Sequence, residues 1–267
     1  EESASVIELG GGIAPSDVSL ARVKSYAIDH LYITVKNQQG KQVNLIRISD
    51  YFSRTAVDNI RFADGTIWDR AYVFARILQG GAGNDSLTGH ESDDRLDGHS
   101  GKDSIAGGGG NDTLAGGDGD DYLEGDGAYT TRPGNDVLEG GWGYDRLSGG
   151  DGDDIYLYNL GDGKDVIVEN NDSQRGGNDV LRLGPGITES DLSFHEVKKE
   201  GGLIIRNAVD GGEILIRGFF WGDNSTRIER IELSDGTALG LQDILARVER
   251  GQADTYARKI EVAERAY

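Results

Sequence analysis

Asp85, Asp94, Asp103, Asp112 and Asp121 recur every nine residues, and after a six-residue insertion the series resumes at Asp136, Asp145 and Asp154. Glycines precede these residues at fixed offsets. Gly80, Gly81 and Gly83 stand before Asp85, and Gly107, Gly108 and Gly110 before Asp112. Gly116, Gly117 and Gly119 precede Asp121, Gly140, Gly141 and Gly143 precede Asp145, and Gly149, Gly150 and Gly152 precede Asp154. Glycine reaches positive φ without steric penalty and leaves its carbonyl oxygen uncovered, while Asp adds a hard anionic oxygen. A tight turn furnished with such oxygens suits Ca2+, which takes about six to eight of them. Asp165 keeps the glycine and aspartate spacing after a two-residue slip, and Asp179 keeps half a motif; both join the ligand candidates as irregular members.

Numbering each repeat from its first glycine puts Asp at position six and an apolar residue at position eight: Leu87, Leu96, Ile105, Leu114, Leu123, Leu138 and Leu147, with Tyr156 in the eighth repeat. Positions six to eight read as a short strand whose Asp and apolar residue share one face. Three residues cannot bury a core alone. Repeats stacked as a two-sided coil would line up the position-eight residues and bring each turn against its neighbour.

The flanks hold a second repeat of long period. Residues 9–20 align with 183–194, and 60–66 with 231–237. Each copy reads as short alternating strands, 31–35 with 43–48 and 203–206 with 213–217, followed by an Asp-Gly-Thr turn and a short amphipathic helix near 68–78 and 239–248. The expected organisation is 1–79, one flanking copy; 80–168, the array; 169–250, the other flanking copy; and 251–267, a charged tail with helix as one reading.

Composition narrows the function. Acidic residues outnumber basic ones 47 to 27, a net charge of −20 that argues against nucleic acid as a partner. With no Cys, disulfides, thiolate metal sites and cysteine nucleophiles are excluded. No apolar run approaches the ~18 residues of a membrane span. The absence of Met reads as a piece of a longer polypeptide. No nucleophile-elbow, zincin, P-loop or EF-hand string occurs, so the aspartate pairs read as a product of the repeat and the segment as non-enzymatic.

Gly-Gly-x-Gly-x-Asp-x-apolar-x, about eight times in register, resembles the repeat-in-toxin (RTX) nonapeptide, a calcium-binding parallel β-roll motif. The flanking units resemble the capping segments of multi-block toxins of the adenylate cyclase-haemolysin type, which implies that 1–79 is the capping segment of a preceding block and 169–250 the C-terminal capping segment of this one. The resemblance implies an all-β fold: a parallel β-roll between two related β-rich caps, each ending in a short helix. It implies that two repeats make one turn of the roll, so that Ca2+ lies between loops n and n+2. This pairs Asp85 with Asp103, Asp103 with Asp121, Asp94 with Asp112, Asp112 with Asp136, Asp121 with Asp145, and Asp136 with Asp154, for about six or seven ions. It further implies a toxin segment of a Gram-negative bacterium, exported by type I secretion machinery and folding on Ca2+ outside the cell as a monomer. The alternatives are a host-cell receptor-binding segment of such a toxin, or the end of an RTX hydrolase or adhesin.

Three departures bear on individual repeats: His90 and Ser92 replace glycines in repeat two, His99 does so in repeat three, and the sixth repeat carries the insertion. His90 and His99 are expected on opposite faces and not in a joint zinc site. Off position six, Asp97 and Asp126 are expected to be solvated. Trp142, at position three of a turn, and Tyr129, in the insertion, are expected to be exposed, and Phe220 to pack in a core.

Overall fold

In the repeat region each nonapeptide makes one strand, and the strand starts at position seven. The computed structural model describes residues 6–25, 28–36, 41–49, 57–127, 130, 132–169, 177–221 and 227–249. Tyr129 and residues 251–267 therefore lie outside the described residues. The chain forms two compact units, residues 1–79 and 80–267.

In the first unit, strand β1 (Val6–Leu9) is followed by an antiparallel meander of β2 (Val18–Ser25), β3 (Ile28–Lys36) and β4 (Gln42–Ser49), then by β5 (Asn59–Phe62) and β6 (Ile67–Asp69). β1 pairs in parallel with β5, which forms a hairpin with β6 through the Asp-Gly-Thr turn. The Asp64 carboxylate accepts the Thr66 amide (2.8 Å), and Gly65 supplies a φ of 91°. Asp69 then caps helix α1 (Arg70–Ile77) by accepting the Tyr72 amide. Leu31, Ile33, Ile60, Trp68 and Val73 form the core of this unit.

The second unit holds the array. One sheet takes β8 (Ser86–Thr88), β10 (Ser104–Gly108), β12 (Tyr122–Asp126), β14 (Arg146–Ser148) and β16 (Lys164–Ile167) in parallel. The other takes β7 (Gln79–Gly81), β9 (Arg95–His99), β11 (Thr113–Asp118), β13 (Val137–Trp142), β15 (Ile155–Tyr158) and β17 (Val180–Leu183). Odd repeats thus feed one sheet and even repeats the other. Position eight is buried throughout, from Leu87 at 6% exposed to Ile105, Leu123, Leu138 and Tyr156 at 0%. A three-residue strand is held only by its neighbours, and here every neighbour offers the same apolar column.

Beyond the array both sheets continue. β20 (Glu213–Ile216) pairs in parallel with β16, and β18 (Leu192–Val197), β19 (Gly202–Asn207) and β20 form an antiparallel meander on that sheet. β21 (Arg230–Leu233) adds in parallel to β17 and turns back into β22 (Ala238–Gly240). Helix α2 (Leu241–Arg247) and the two-residue β23 (Val248–Glu249) close the described chain. Phe219, not Phe220, is the buried aromatic of its segment: it is 1% exposed, and Phe220 meets it edge-on from a half-buried position. Every residue of β20 just before it is buried, so no alternation in the sequence separates Phe219 from Phe220.

Candidate metal centre

The strand begins at position seven because position six uses its two backbone groups differently. Its carbonyl joins the sheet ladder: Asp85, Asp94, Asp103 and Asp112 accept the amides of Ser104, Thr113, Tyr122 and Val137, all at 2.9 Å. Its amide instead donates to a carboxylate Oδ1 two repeats on. Asp85 donates to Asp103 (2.7 Å), Asp103 to Asp121 (2.7 Å), Asp121 to Asp145 (2.8 Å) and Asp145 to Asp165 (3.1 Å). Along the other edge Asp94 donates to Asp112 (2.8 Å), Asp112 to Asp136 (2.7 Å), Asp136 to Asp154 (2.8 Å) and Asp154 to Asp179 (2.9 Å). These rows join the same aspartates that the n and n+2 pairing brings together, with the irregular Asp165 and Asp179 as further rungs.

One carboxylate oxygen is thereby fixed and the other is left over. The Oδ2 atoms of Asp103, Asp112, Asp121, Asp136, Asp145 and Asp154 are buried and have no hydrogen-bond partner. Asp85 and Asp94, in the first coil, are half-buried, and their Oδ2 atoms accept the Gly81 and His90 amides (2.7 and 2.6 Å). Position-one glycines make room for this second oxygen. A Cβ on Gly80, Gly107, Gly116, Gly140 or Gly149 would overlap the position-six carboxylate of its own repeat; on Gly80, Gly107 and Gly116 it would also meet the carbonyl oxygen of the position-one glycine two repeats on. The other candidate glycines serve turn conformation. Gly108, Gly117, Gly141 and Gly150 at position two, and Gly110, Gly119, Gly143 and Gly152 at position four, hold φ between 96° and 147°. Gly81 and Gly83, in the first coil, do not share this conformation.

Burial governs the charge state of the metal-free row. It pushes Asp121 up to about 6, Asp112 and Asp136 up to about 7 and Asp154 up to about 8, against the lowering effect of the amide each accepts. Burial also raises Asp103, Asp145 and Asp165; the Asp145 carboxylate raises Asp165 further, and the Asp121 carboxylate raises Asp145. An unpartnered buried carboxylate costs several kcal/mol unless a proton or a cation neutralises it. The donors are hard oxygens without sulfur or imidazole, which fits Ca2+ better than zinc or copper. Among the described residues no three acidic or His side chains converge on one point; a Ca2+ held at these turns would need backbone carbonyl oxygens beside the carboxylates.

Several participants were not foreseen. Asp126 is buried at 9% exposed, contrary to the expected solvation: at position two of the repeat with the insertion, it accepts the Asp151 amide (2.9 Å), leaves Oδ1 unpartnered, and is pushed up to about 6 by burial. Asp97 stays partly exposed and accepts the His99 amide, which supports a φ of 70° at that non-glycine position. Position five makes a second ladder: Asn84, Asn111 and Asn135 accept the amides of Lys102, Asn135 and Asp153 at 2.8–3.0 Å. The recurring Asn was its visible signal. The last rung of the second aspartate row is Glu229, which accepts the Asp179 amide (2.9 Å) from 50 residues away. Trp142, at 64% exposed, stands on the turn face as expected.

Two family models match the chain. The RTX calcium-binding nonapeptide repeat matches residues 77–105, 97–128 and 130–167, and the haemolysin-type calcium binding protein related domain matches twice, at 30–72 and 203–243. No curated protein matches. The repeat register, the two-sided parallel roll and both sets of matches agree: the chain is an RTX calcium-binding block, with a nonapeptide array lying in sequence between two haemolysin-type related segments.

Proposed function

We propose that the array is a calcium-dependent folding switch, with Asp85, Asp94, Asp103, Asp112, Asp121, Asp136, Asp145 and Asp154 as carboxylate ligands and position-one to position-four carbonyls completing about six or seven sites. The observation that carries this is the row of buried, unpartnered Oδ2 atoms on carboxylates whose other oxygen is already committed. Asp165 and Asp179 extend the rows. Without cations the array concentrates like charge and resists compaction; each site filled at ten times its Kd adds about 1.4 kcal/mol by mass action. Extracellular calcium modules bind at about 10⁻⁴–10⁻³ M, so the chain would stay unfolded in a low-calcium cytosol and fold after export. The family resemblance supports type I secretion from a Gram-negative bacterium, a toxin as the parent protein, and a monomeric segment without catalysis of its own.

Circular dichroism during a Ca2+ titration tests this. A cooperative gain of β signal below about 10 mM is expected, and Mg2+ should not substitute, because it demands octahedral geometry and sheds water reluctantly. A flat titration would end the proposal.

A second reading adds recognition of a host receptor to the same fold, favoured by Trp142 at 64% and Tyr144 at 44% exposed, two residues apart on one turn. Trp142→Ala should then lower cell binding at least tenfold with an unchanged Ca2+ transition. Undiminished binding would remove this turn from consideration.

A further inference from the structure

The end of the second aspartate row breaks the pattern at position one. Leu123 pairs with Leu147, and Leu147 with Ile167, so two residues on the column runs Gly125, Gly149, Glu169. Glycine holds this position in the preceding coils because a Cβ there points into the aspartate Oδ2 atoms. At the last coil a carboxylate occupies that direction. Glu169 is 4% exposed, and its Oε1 accepts a hydrogen bond from the Tyr156 hydroxyl. That hydroxyl in turn accepts the Gly149 amide (2.6 Å) where β16 has ended and the sheet no longer supplies a carbonyl, which explains a tyrosine in the position-eight column. The Glu169 Oε2 is buried without a partner, as is the Asp154 Oδ2, and Asp154, Asp179 and Glu229 are the acids whose charges act on Glu169. The side chain therefore adds an unpaired oxygen to the end of a row of unpaired oxygens.

We propose that Glu169, with Asp154 and completed by carbonyl oxygens, holds a further Ca2+ that closes this row. The segment after the matched nonapeptides then contributes a ligand of its own. This rests on the calcium reading above. The competing account is a permanently neutral, protonated Glu169 that plugs the row without metal.

Native mass spectrometry of the full 267-residue chain refolded in Ca2+ separates the two. Glu169→Gln keeps the shape and the acceptor for Tyr156 but not the charge, and should carry one ion fewer than the unsubstituted chain; Tyr156→Phe should keep the full count. An unchanged count in Glu169→Gln overturns the inference and leaves the calcium switch standing. An unsubstituted chain without ions overturns both. If the Gln variant does not fold, the count is taken on Glu169→Asp at half-saturating Ca2+: one ion fewer supports the site, and an unchanged count overturns it.

Discussion

In a chelator, the chain at pH 5.5 will show more β-structure than at pH 7.5, and with Ca2+ present the titration midpoint will rise as pH falls from 8 to 6. The sign follows from the direction of the shifts. Asp112 and Asp136 at about 7 and Asp154 at about 8 lie above the ordinary carboxylate value of 3.8, with burial as the first cause. A group whose folded value is raised contributes its stability in full below the unfolded value, near 4, and loses it as pH climbs through the folded value. The metal-free roll is therefore favoured in acid and loses that support progressively between about pH 4 and 8. Protons and Ca2+ compete for the same buried oxygens, so acid weakens metal binding while partly replacing it. Far-UV circular dichroism at both pH values in EGTA, with sedimentation to exclude precipitation near the pI of 4.5, reads the result. Equal β content at pH 5.5 and 7.5 without metal would show that the buried carboxylates do not control folding.

The second large effect separates two glycines that the repeat makes equivalent. Gly83 and Gly119 both occupy position four. Gly119 holds φ of 141°, and a Cβ on it would overlap the Gly101 carbonyl; Gly83 lies in the first coil, where a Cβ meets nothing within 4 Å. Gly119→Ala combines backbone strain of about 1–2 kcal/mol with overpacking of about 1–3 kcal/mol. The expected total of about 2–5 kcal/mol corresponds to a Ca2+-loaded melting temperature roughly 5–15 °C lower. Gly83→Ala should stay within about 0.5 kcal/mol of the parent. Equal melting temperatures for the two variants would contradict coil-on-coil stacking of the turns.

The contrast also marks how far the sequence could be read. The nine-residue register placed the apolar column and the two-sheet alternation, because a strict period admits one stacking solution. It could not rank equivalent positions, since Gly83 and Gly119 share a place in the repeat and differ in φ and in whether another coil lies against them. Asp126 was misread for a related reason: off position six it looked solvated, but the insertion places it where the Asp151 amide needs an acceptor. Glu169 and Glu229 carry no motif at all. Their roles depend on the partners given to β16 and β17 by strands some 50 residues further on, and no local pattern encodes that pairing. The second capping copy was visible as strands and a turn, but not as a continuation of the two sheets.

The six-residue insertion lengthens one turn and leaves both rows in register: the hydrogen-bond spacing rises from 18 to 24 residues at Asp112 and at Asp121, then returns to 18 at Asp136. Pairing is decided by the coil and not by distance along the chain. Related blocks can therefore differ in turn length at little cost, whereas whole-repeat gains and losses face a parity rule. Deleting one nonapeptide would send each later strand to the opposite sheet and present β20 and β21 to the wrong edges; deleting two would shorten the roll by a full turn with its end intact. Evolution of such arrays, and their redesign, should proceed in steps of 18 residues.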